Sequence, residues 1–117
     1  MGRLTTHVLD TASGRPGAGI RITVYRNLAE RYALLKDVVT NGDGRCDEPL
    51  LEGAAFSSGR YRLVFACGEY FAAAGGTLPD PPFVDEVVLD FGVADGGAHY
   101  HVPLLVSPWS YSTYRGS

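Results

Sequence analysis

The three histidines of this chain and Arg45 carry side chains suited to moving protons or holding an anion. His7 lies near the first residue, whereas His99 and His101 lie near the last, all in segments where apolar and polar residues alternate. Because residues i and i+2 of a strand share a face, we expect His99 and His101 to point the same way. Imidazoles titrate near neutrality, and a guanidinium stays charged with a planar fork of donors. These four residues are the main candidates for chemistry.

Ordinary structural roles stay open for each of them. His7 can be a hydrogen-bonded histidine on a sheet, and His99 with His101 can form a polar stripe along a strand. Arg45 can be a solvated loop residue or the partner of a neighbouring aspartate.

Metal binding and serine catalysis have weaker support. Two histidines at i and i+2 plus a third suffice in principle for zinc, but no Asp, Glu or Cys has a spacing that strengthens such a site. Residues 41–47 resemble a calcium loop, yet Arg45 and Cys46 stand where an oxygen ligand and a glycine are required. No serine lies in a G-x-S-x-G turn. We therefore expect no metal.

The end of the sequence is unusual for a dispensable tail. Residues 114–117 read Tyr-Arg-Gly-Ser and follow an aromatic-rich segment that includes Trp109 and Tyr111. Terminal residues usually fray unless they are tied down, and aromatic side chains of this kind are enriched at interfaces. We expect the aromatic run to hold the tail in place and to favour an oligomer.

The elements that must position these residues are short strands. Alternation predicts that Thr5, His7 and Leu9 share one face of the first strand, and turn residues such as 41–44 (Asn-Gly-Asp-Gly) separate the runs. Pro103 indicates an edge position or a bulge. The clearest of the predicted strands cover residues 4–10, 20–25, 31–40, 61–66, 83–91 and 99–106, and a short helix covers residues 69–74. With seven or eight strands and one short helix, we expect an all-β fold, an antiparallel β-sandwich.

Composition limits the class of protein. The 117 residues, 45% of them hydrophobic, suffice for a single domain spanning 1–117 and argue against disorder. A net charge of −3 argues against nucleic-acid binding. No apolar run approaches the roughly 20 residues that span a bilayer, and no secretory signal precedes the first strand, so we expect a cytoplasmic protein without a membrane partner. Cys46 and Cys67 are expected to be reduced, partly buried thiols.

Four blocks of sequence, in order, resemble the 5-hydroxyisourate hydrolases, the transthyretin-like proteins of urate breakdown. They are residues 4–11 (LTTHVLDT) with 14–16 (GRP), residues 40–45 (TNGDGR), residues 99–105 (HYHVPLL) with 107–108 (SP), and the ending 114–117 (YRGS). The ending separates the hydrolases from the hormone-carrying transthyretins. The resemblance covers nearly the whole chain, although residues 67–82 carry no recognisable signature.

The resemblance implies a transthyretin-like sandwich and a homotetramer, a dimer of dimers with sites in the channel between the dimers. It also implies hydrolytic opening of 5-hydroxyisourate at its N1–C6 amide, which gives 2-oxo-4-hydroxy-4-carboxy-5-ureidoimidazoline. No cofactor or metal is implied. The alternatives are a transthyretin-like carrier of small ligands, without catalysis, and a β-sandwich with a purely structural role.

The family's functional positions fall on His7, Arg45, His101 and the tail from Tyr114 to Ser117. We expect His7 and His101 to handle protons, with the base left unassigned, and Arg45 to hold the substrate and a developing oxyanion. Ser117 is expected to position water or a histidine. Together with His7 and Arg45, Tyr114 and Arg115 are expected to bind substrate. The motif gives His99 no role, so we expect it to be structural.

Overall fold

The computed structural model describes residues 2–75 and 77–116; Met1, Gly76 and Ser117 lie outside the described residues. The described chain forms nine strands, one α-helix and a short 3-10 helix at Gly53–Ala55. In chain order they are β1 (Arg3–Asp10), β2 (Arg15–Pro16), β3 (Arg21–Asn27), β4 (Tyr32–Val39), β5 (Leu51–Glu52), β6 (Gly59–Ala66), α1 (Cys67–Ala73), β7 (Glu86–Val93), β8 (His99–Val106) and β9 (Tyr111–Thr113).

Two sheets pack face to face. One has the order β2-β1-β8-β9, with β5 also paired to β1, and the other has the order β4-β3-β6-β7. Every pairing between these strands is antiparallel except that of β1 with β8, which is parallel. The predicted β-sandwich is confirmed, and the parallel pair is its main departure from a purely antiparallel arrangement. That pair places the first and the penultimate strand of the chain side by side.

Alternating burial along β1 separates the core from the outer face of its sheet. Leu4, Thr6, Val8 and Asp10 are buried, whereas the residues between them are half-buried. The predicted face shared by Thr5, His7 and Leu9 is therefore confirmed. The largest fully buried side chains of the core come from both sheets and include Tyr61, Phe65, Leu4, Ile22, Leu63 and Leu104. Because the apolar face fixes the register, His7 is directed to the opposite face.

The helix and the seventh strand differ from prediction at their ends. The helix begins at Cys67 rather than residue 69, and Gly75, with φ of +87°, follows its last turn, as expected for a glycine stop. Strand β7 begins at Glu86 rather than residue 83. The reason is that residues 84 and 85 bond elsewhere: the Gly68 N–H donates to the Asp85 carbonyl, and the Val84 N–H donates to Pro108.

Pro103 lies on an internal strand, so the expected edge position is wrong. β8 pairs with β1 on one side and with β9 on the other. The β8–β9 pairing ends at Leu104 with Thr113 and resumes as an isolated bridge between His101 and Gly116. Both contacts share one register, which puts Tyr114 opposite Pro103. Proline has no backbone N–H to donate, and Pro103 lies at the gap in the hydrogen bonding between β8 and the tail.

Neither cysteine is in a disulfide. Cys46 is half-buried and Cys67 is fully buried, and burial raises the pKa of Cys67 to about 12. The expectation of two reduced thiols agrees with this arrangement. In the described part of the chain, no helix is long and apolar enough to cross a membrane.

Candidate active site

The outer face of the β1–β8 pair carries three of the polar side chains of the site. The parallel register sets Thr5 opposite His101 and Arg3 opposite His99. The Oγ1 atom of Thr5 lies 2.7 Å from Nε2 of His99 and 2.8 Å from Nδ1 of His101. The two imidazole centroids are 6.2 Å apart, with 55° between the ring planes. The prediction that His99 and His101 point the same way is consistent with their shared contact on Thr5.

The turn at 41–44 brings Arg45 to the same face. The side-chain carbonyl of Asn41 accepts the N–H of Asp43 at 2.9 Å and that of Arg45 at 3.2 Å. Gly44 then approaches β1, where the Val8 N–H donates to its carbonyl at 2.8 Å. His7 and Arg45 form an isolated antiparallel bridge as a result. The sequence signal for this turn was clear, but its position against β1 is a tertiary feature.

Gly44 is required at this approach for two reasons. Its φ of +74° lies in the left-handed region that L side chains rarely adopt, and a Cβ at this position would collide with the carbonyl oxygen of Val8. A larger residue would therefore push the turn away from β1 and separate Arg45 from His7.

A polar cavity of about 470 Å³ opens between these elements. It is lined by Arg3, Thr5, Thr6, Arg45, Cys46, Asp47, Glu48, Pro49, His99 and His101. His7 is not among the lining residues, but its backbone forms the bridge with Arg45. The structure thus brings Arg45 and His101, from distant parts of the sequence, to one cavity, and it places the backbone of His7 against that of Arg45.

Burial and positive charge disfavour the protonated form of His101. Burial is the largest cause that lowers its pKa, and the positive charge of Arg45 lowers it further. His101 is therefore neutral at pH 7, with one ring nitrogen able to accept a proton and the other carrying one.

The thiol of Cys46 also lines the cavity but is not activated. Burial raises its pKa, Lys36 opposes that rise, and Asp47 adds to it. A thiol rather than a thiolate faces the cavity at neutral pH, so nucleophilic catalysis by Cys46 is not favoured.

The tail reaches the site through its backbone. The Gly116 N–H donates to the His101 carbonyl at 2.7 Å, and a Cβ built on Gly116 would lie 2.8 Å from Cδ2 of the imidazole. Because Gly116 has no side chain, the backbone of the tail can pass close to the His101 ring. Ser117, predicted as catalytic, lies outside the described residues.

Tyr114 and Arg115 lie elsewhere in the single chain. Both line a second, more apolar groove of about 370 Å³ beside β7, together with Val88, Phe91 and Tyr100 among others. The guanidinium of Arg115 sits 3.9 Å from the centroid of the Tyr100 ring, and its Nη2 donates to the His99 carbonyl at 3.4 Å. The structure does not bring these two predicted substrate contacts to the histidine cavity, and their role stays a prediction.

Several cavity residues carried no sequence hypothesis. Thr5 was placed on the face of His7 by alternation but given no role, and Arg3, Asp47 and Glu48 had no motif of their own. The one sequence feature that they share is a position close along the chain to Arg45 or to a histidine. No group of three or more His, Cys, Asp or Glu side chains in the described residues is close enough to hold a metal ion.

The fold and the cavity define a class of protein: a small transthyretin-like β-sandwich whose outer sheet face carries imidazoles and a guanidinium. The sequence matches the HIUase/Transthyretin family over residues 4–116, and the chain belongs to that family.

Curated relatives match over nearly their full length. The 5-hydroxyisourate hydrolase of Ralstonia nicotianae is 64% identical over all of both chains. The 5-hydroxyisourate hydrolase of Pseudomonas aeruginosa is 58% identical over all of this chain and 93% of its own.

Solved structures with the same fold carry different names. A crystal structure of (S)-allantoin synthase superposes with a TM-score of 0.93 at 50% identity, covering 99% of this chain and 44% of that one. The Klebsiella pneumoniae 5-hydroxyisourate hydrolase superposes with a TM-score of 0.82 at 33% identity over all of both chains. Transthyretin from Sparus aurata superposes with a TM-score of 0.86 at 28% identity, covering 97% and 96%. Since one fold serves differently named proteins, the site residues must separate the functions.

Proposed function

We propose that this protein hydrolyses 5-hydroxyisourate in urate breakdown, opening the N1–C6 amide to give 2-oxo-4-hydroxy-4-carboxy-5-ureidoimidazoline. The observation that carries the proposal is the polar cavity that Arg45 and His101 line together, with the backbone of His7 bridged to that of Arg45. The names of the full-length relatives support the same reaction. No cofactor or metal takes part in the proposed reaction.

The histidines supply the proton transfers. Hydrolysis of a cyclic amide needs a water made nucleophilic and a proton for the leaving nitrogen. Neutral His101 is suited to accept a proton from water, because burial and the nearby cations hold its pKa low. His7, next to Arg45 at the bridge, is the second member of the pair. The pH profiles of single variants will show which of the two histidines acts first as the base.

Arg45 supplies fixed positive charge and directed donors. Its planar fork suits the oxygen-rich ring of the substrate and the oxyanion that develops on the attacked carbonyl. Loss of one donor of this kind typically costs about 10²–10³ in rate. The ion pairs of the described residues, Arg21 with Glu69 and Arg62 with Asp90, leave Arg45 out, so its charge is available to the cavity.

The tail and the assembly complete the proposed site. We propose a cytoplasmic homotetramer, a dimer of dimers with its sites in the channel between dimers. Exposed aromatic side chains at Trp109, Tyr111 and Tyr114 favour association on this side of the sandwich. Tyr114 and Arg115 then contact substrate, and Ser117 positions water or a histidine.

The decisive experiment follows the ultraviolet absorbance of freshly generated 5-hydroxyisourate with and without the protein. We expect decay much faster than the spontaneous reaction, and slower decay with Arg45→Gln or His101→Gln. Arg31→Gln, which removes an exposed arginine just before β4, is the matched control and should retain full activity. Unaltered decay in the presence of the wild-type protein would leave the carrier alternative in place of the enzyme.

A further inference from the structure

The hydroxyl of Thr5 is shared by two imidazoles. Its oxygen, Oγ1, lies 2.7 Å from Nε2 of His99 and 2.8 Å from Nδ1 of His101, and both contacts are hydrogen bonds. A hydroxyl donates one proton and accepts through its lone pairs. The hydroxyl can therefore accept from one ring nitrogen and donate to the other, in either order, or accept from both. The two arrangements in which Thr5 both donates and accepts differ in the tautomer of both histidines.

We propose that Thr5 relays a proton between His101 and His99 during hydrolysis, so that His99 is the temporary store of the proton taken from water. The proposal rests on the proposed function and gives roles to two residues that the sequence motifs leave unassigned. Its geometric basis is the His101–Thr5–His99 contact on the outer face of β1 and β8.

The proton transfers balance in both directions. In the starting arrangement the Nδ1–H of His101 donates to Thr5, the Thr5 O–H donates to Nε2 of His99, and Nε2 of His101 is unprotonated. When that nitrogen accepts a proton from water, its ring passes the Nδ1 proton to Thr5, and Thr5 passes its own to His99. The hydroxide adds to the substrate carbonyl, while His101 stays neutral with a proton on Nε2.

The second half of the reaction reverses the relay. The Nε2–H of His101 donates its proton to the leaving ring nitrogen as the amide bond breaks. In the same step Nδ1 of His101 recovers a proton from Thr5, which recovers one from His99, so no imidazolate forms. All three groups return to their initial protonation, so in the relay His101 serves as base and then as acid, and His7, the other member of the pair, contacts the substrate.

The charges around the cavity explain why a relay is useful here. A positive charge on His101 is disfavoured by burial and by the guanidinium of Arg45. A relay lets His101 accept the proton from water without holding a net charge. The other charged groups at the cavity are Arg3 on β1 and, after the turn, Asp47 and Glu48; Arg115 reaches the His99 carbonyl from the tail.

Thr5→Val and Thr5→Ser test the relay. Valine keeps the shape but removes the hydroxyl, and we expect kcat to fall about 10²-fold, the lower end of the range for a lost acid–base contribution, with KM changed little. Serine should restore most of the rate and the wild-type pH profile. Thr11→Val is the matched control, because the Thr11 hydroxyl, just after β1, donates to the carbonyl of Val106 at the end of β8 and has no hydrogen bond to a histidine. A Thr5→Val protein with wild-type kcat and pH profile would overturn the relay.

His99→Gln gives an independent measurement. Glutamine can still hydrogen-bond Thr5 but cannot store a proton. If the two residues act as one unit, His99→Gln should lose as much kcat as Thr5→Val, and the double variant should lose no more than either alone. Losses that multiply would contradict the relay. Should Thr5→Val fail to fold, the loss of kcat in His99→Gln decides the question.

Nitrogen-15 NMR separates failure of the relay from failure of the proposed function. In the wild-type protein we expect one of Nδ1 of His101 and Nε2 of His99 to carry a proton and the other to be bare, with coupled titrations. Independent titration of the two rings would refute the relay even in an active enzyme. A protein that leaves 5-hydroxyisourate decay unchanged, yet shows coupled rings, would refute the reaction and retain the shared-proton pair.

Discussion

Gly116 and His101 are in contact through both backbone and side chain. The Gly116 N–H bonds the His101 carbonyl at 2.7 Å, and the imidazole occupies the space where a Cβ of Gly116 would be. The end of the chain therefore restrains a histidine that belongs to the candidate active site.

Gly116→Ala should disturb this restraint. The new methyl group would lie 2.8 Å from Cδ2 of His101, so either the ring tilts or the tail moves away. We expect about a 10-fold or greater loss of kcat/KM, since small displacements of catalytic groups have effects of this size. Ser112→Ala, an exposed change on β9 of the same tail, is the control and should retain activity. Equal rates for the two variants would show that the contact does not position His101.

Gly44→Ala should separate Arg45 from His7. The left-handed φ of Gly44 and its approach to the Val8 carbonyl both exclude a side chain, and strain of this kind costs about 1–3 kcal/mol. We expect a lower melting temperature together with a loss of activity. Gly42→Ala, in the same turn, meets open space and serves as the matched control. Its thermal unfolding and turnover should stay near those of the wild type, and a similar loss in both variants would argue against the steric explanation.

The loss of activity at low pH should follow the protonation of His101. Because burial and Arg45 lower the pKa of His101, activity that needs its neutral form should persist below its ordinary value of about 6.5 and fall at lower pH. Arg45→Gln removes one cause, so an NMR titration of His101 should move to higher pH. Arg31→Gln should leave the titration unchanged. A His101 that titrates at or above its ordinary value in the wild type would contradict the prediction.

The lowered pKa of His101 also predicts how the free energy of unfolding changes with pH. Between the ordinary pKa of histidine and the lower native pKa of His101, the unfolded chain binds more protons than the folded chain. The contribution of His101 is therefore present above pH 6.5 or so and is lost as pH falls through the native value. Urea unfolding at several pH values should show stability decreasing on acidification, and His101→Gln should flatten that dependence over the same interval.

Activity should depend on assembly. If the proposed channel between dimers forms the complete site, dilution to monomers should abolish turnover, because Tyr114 and Arg115 of a single chain face the groove beside β7 rather than the histidine cavity. Light scattering combined with assays over a dilution series tests this. Full turnover by a monomer would remove the assembly from the mechanism.

Sequence alone predicts the strands of this protein well, because burial on one face of a sheet produces alternation that can be read directly. β8 has the bounds predicted for it, and the faces of β1 are as expected. Errors occur where a backbone group bonds outside its own element. The late start of β7 follows from Asp85 bonding Gly68, and the internal position of Pro103 follows from the tail pairing around it.

The amino-acid sequence determined which chemical groups are available: three imidazoles, an arginine after a tight turn, and a tail whose glycine can cross a ring. Only the tertiary structure decided which of them meet. The parallel pairing of β1 with β8 joins residues more than ninety positions apart and places Thr5 between two imidazoles. Alternation fixes the face on which a side chain lies, but it carries no information about which strand becomes the neighbour or in what register. That choice depends on packing the whole core, so the Thr5 contact and the separation of Arg115 from the histidine cavity could be found only in the folded chain.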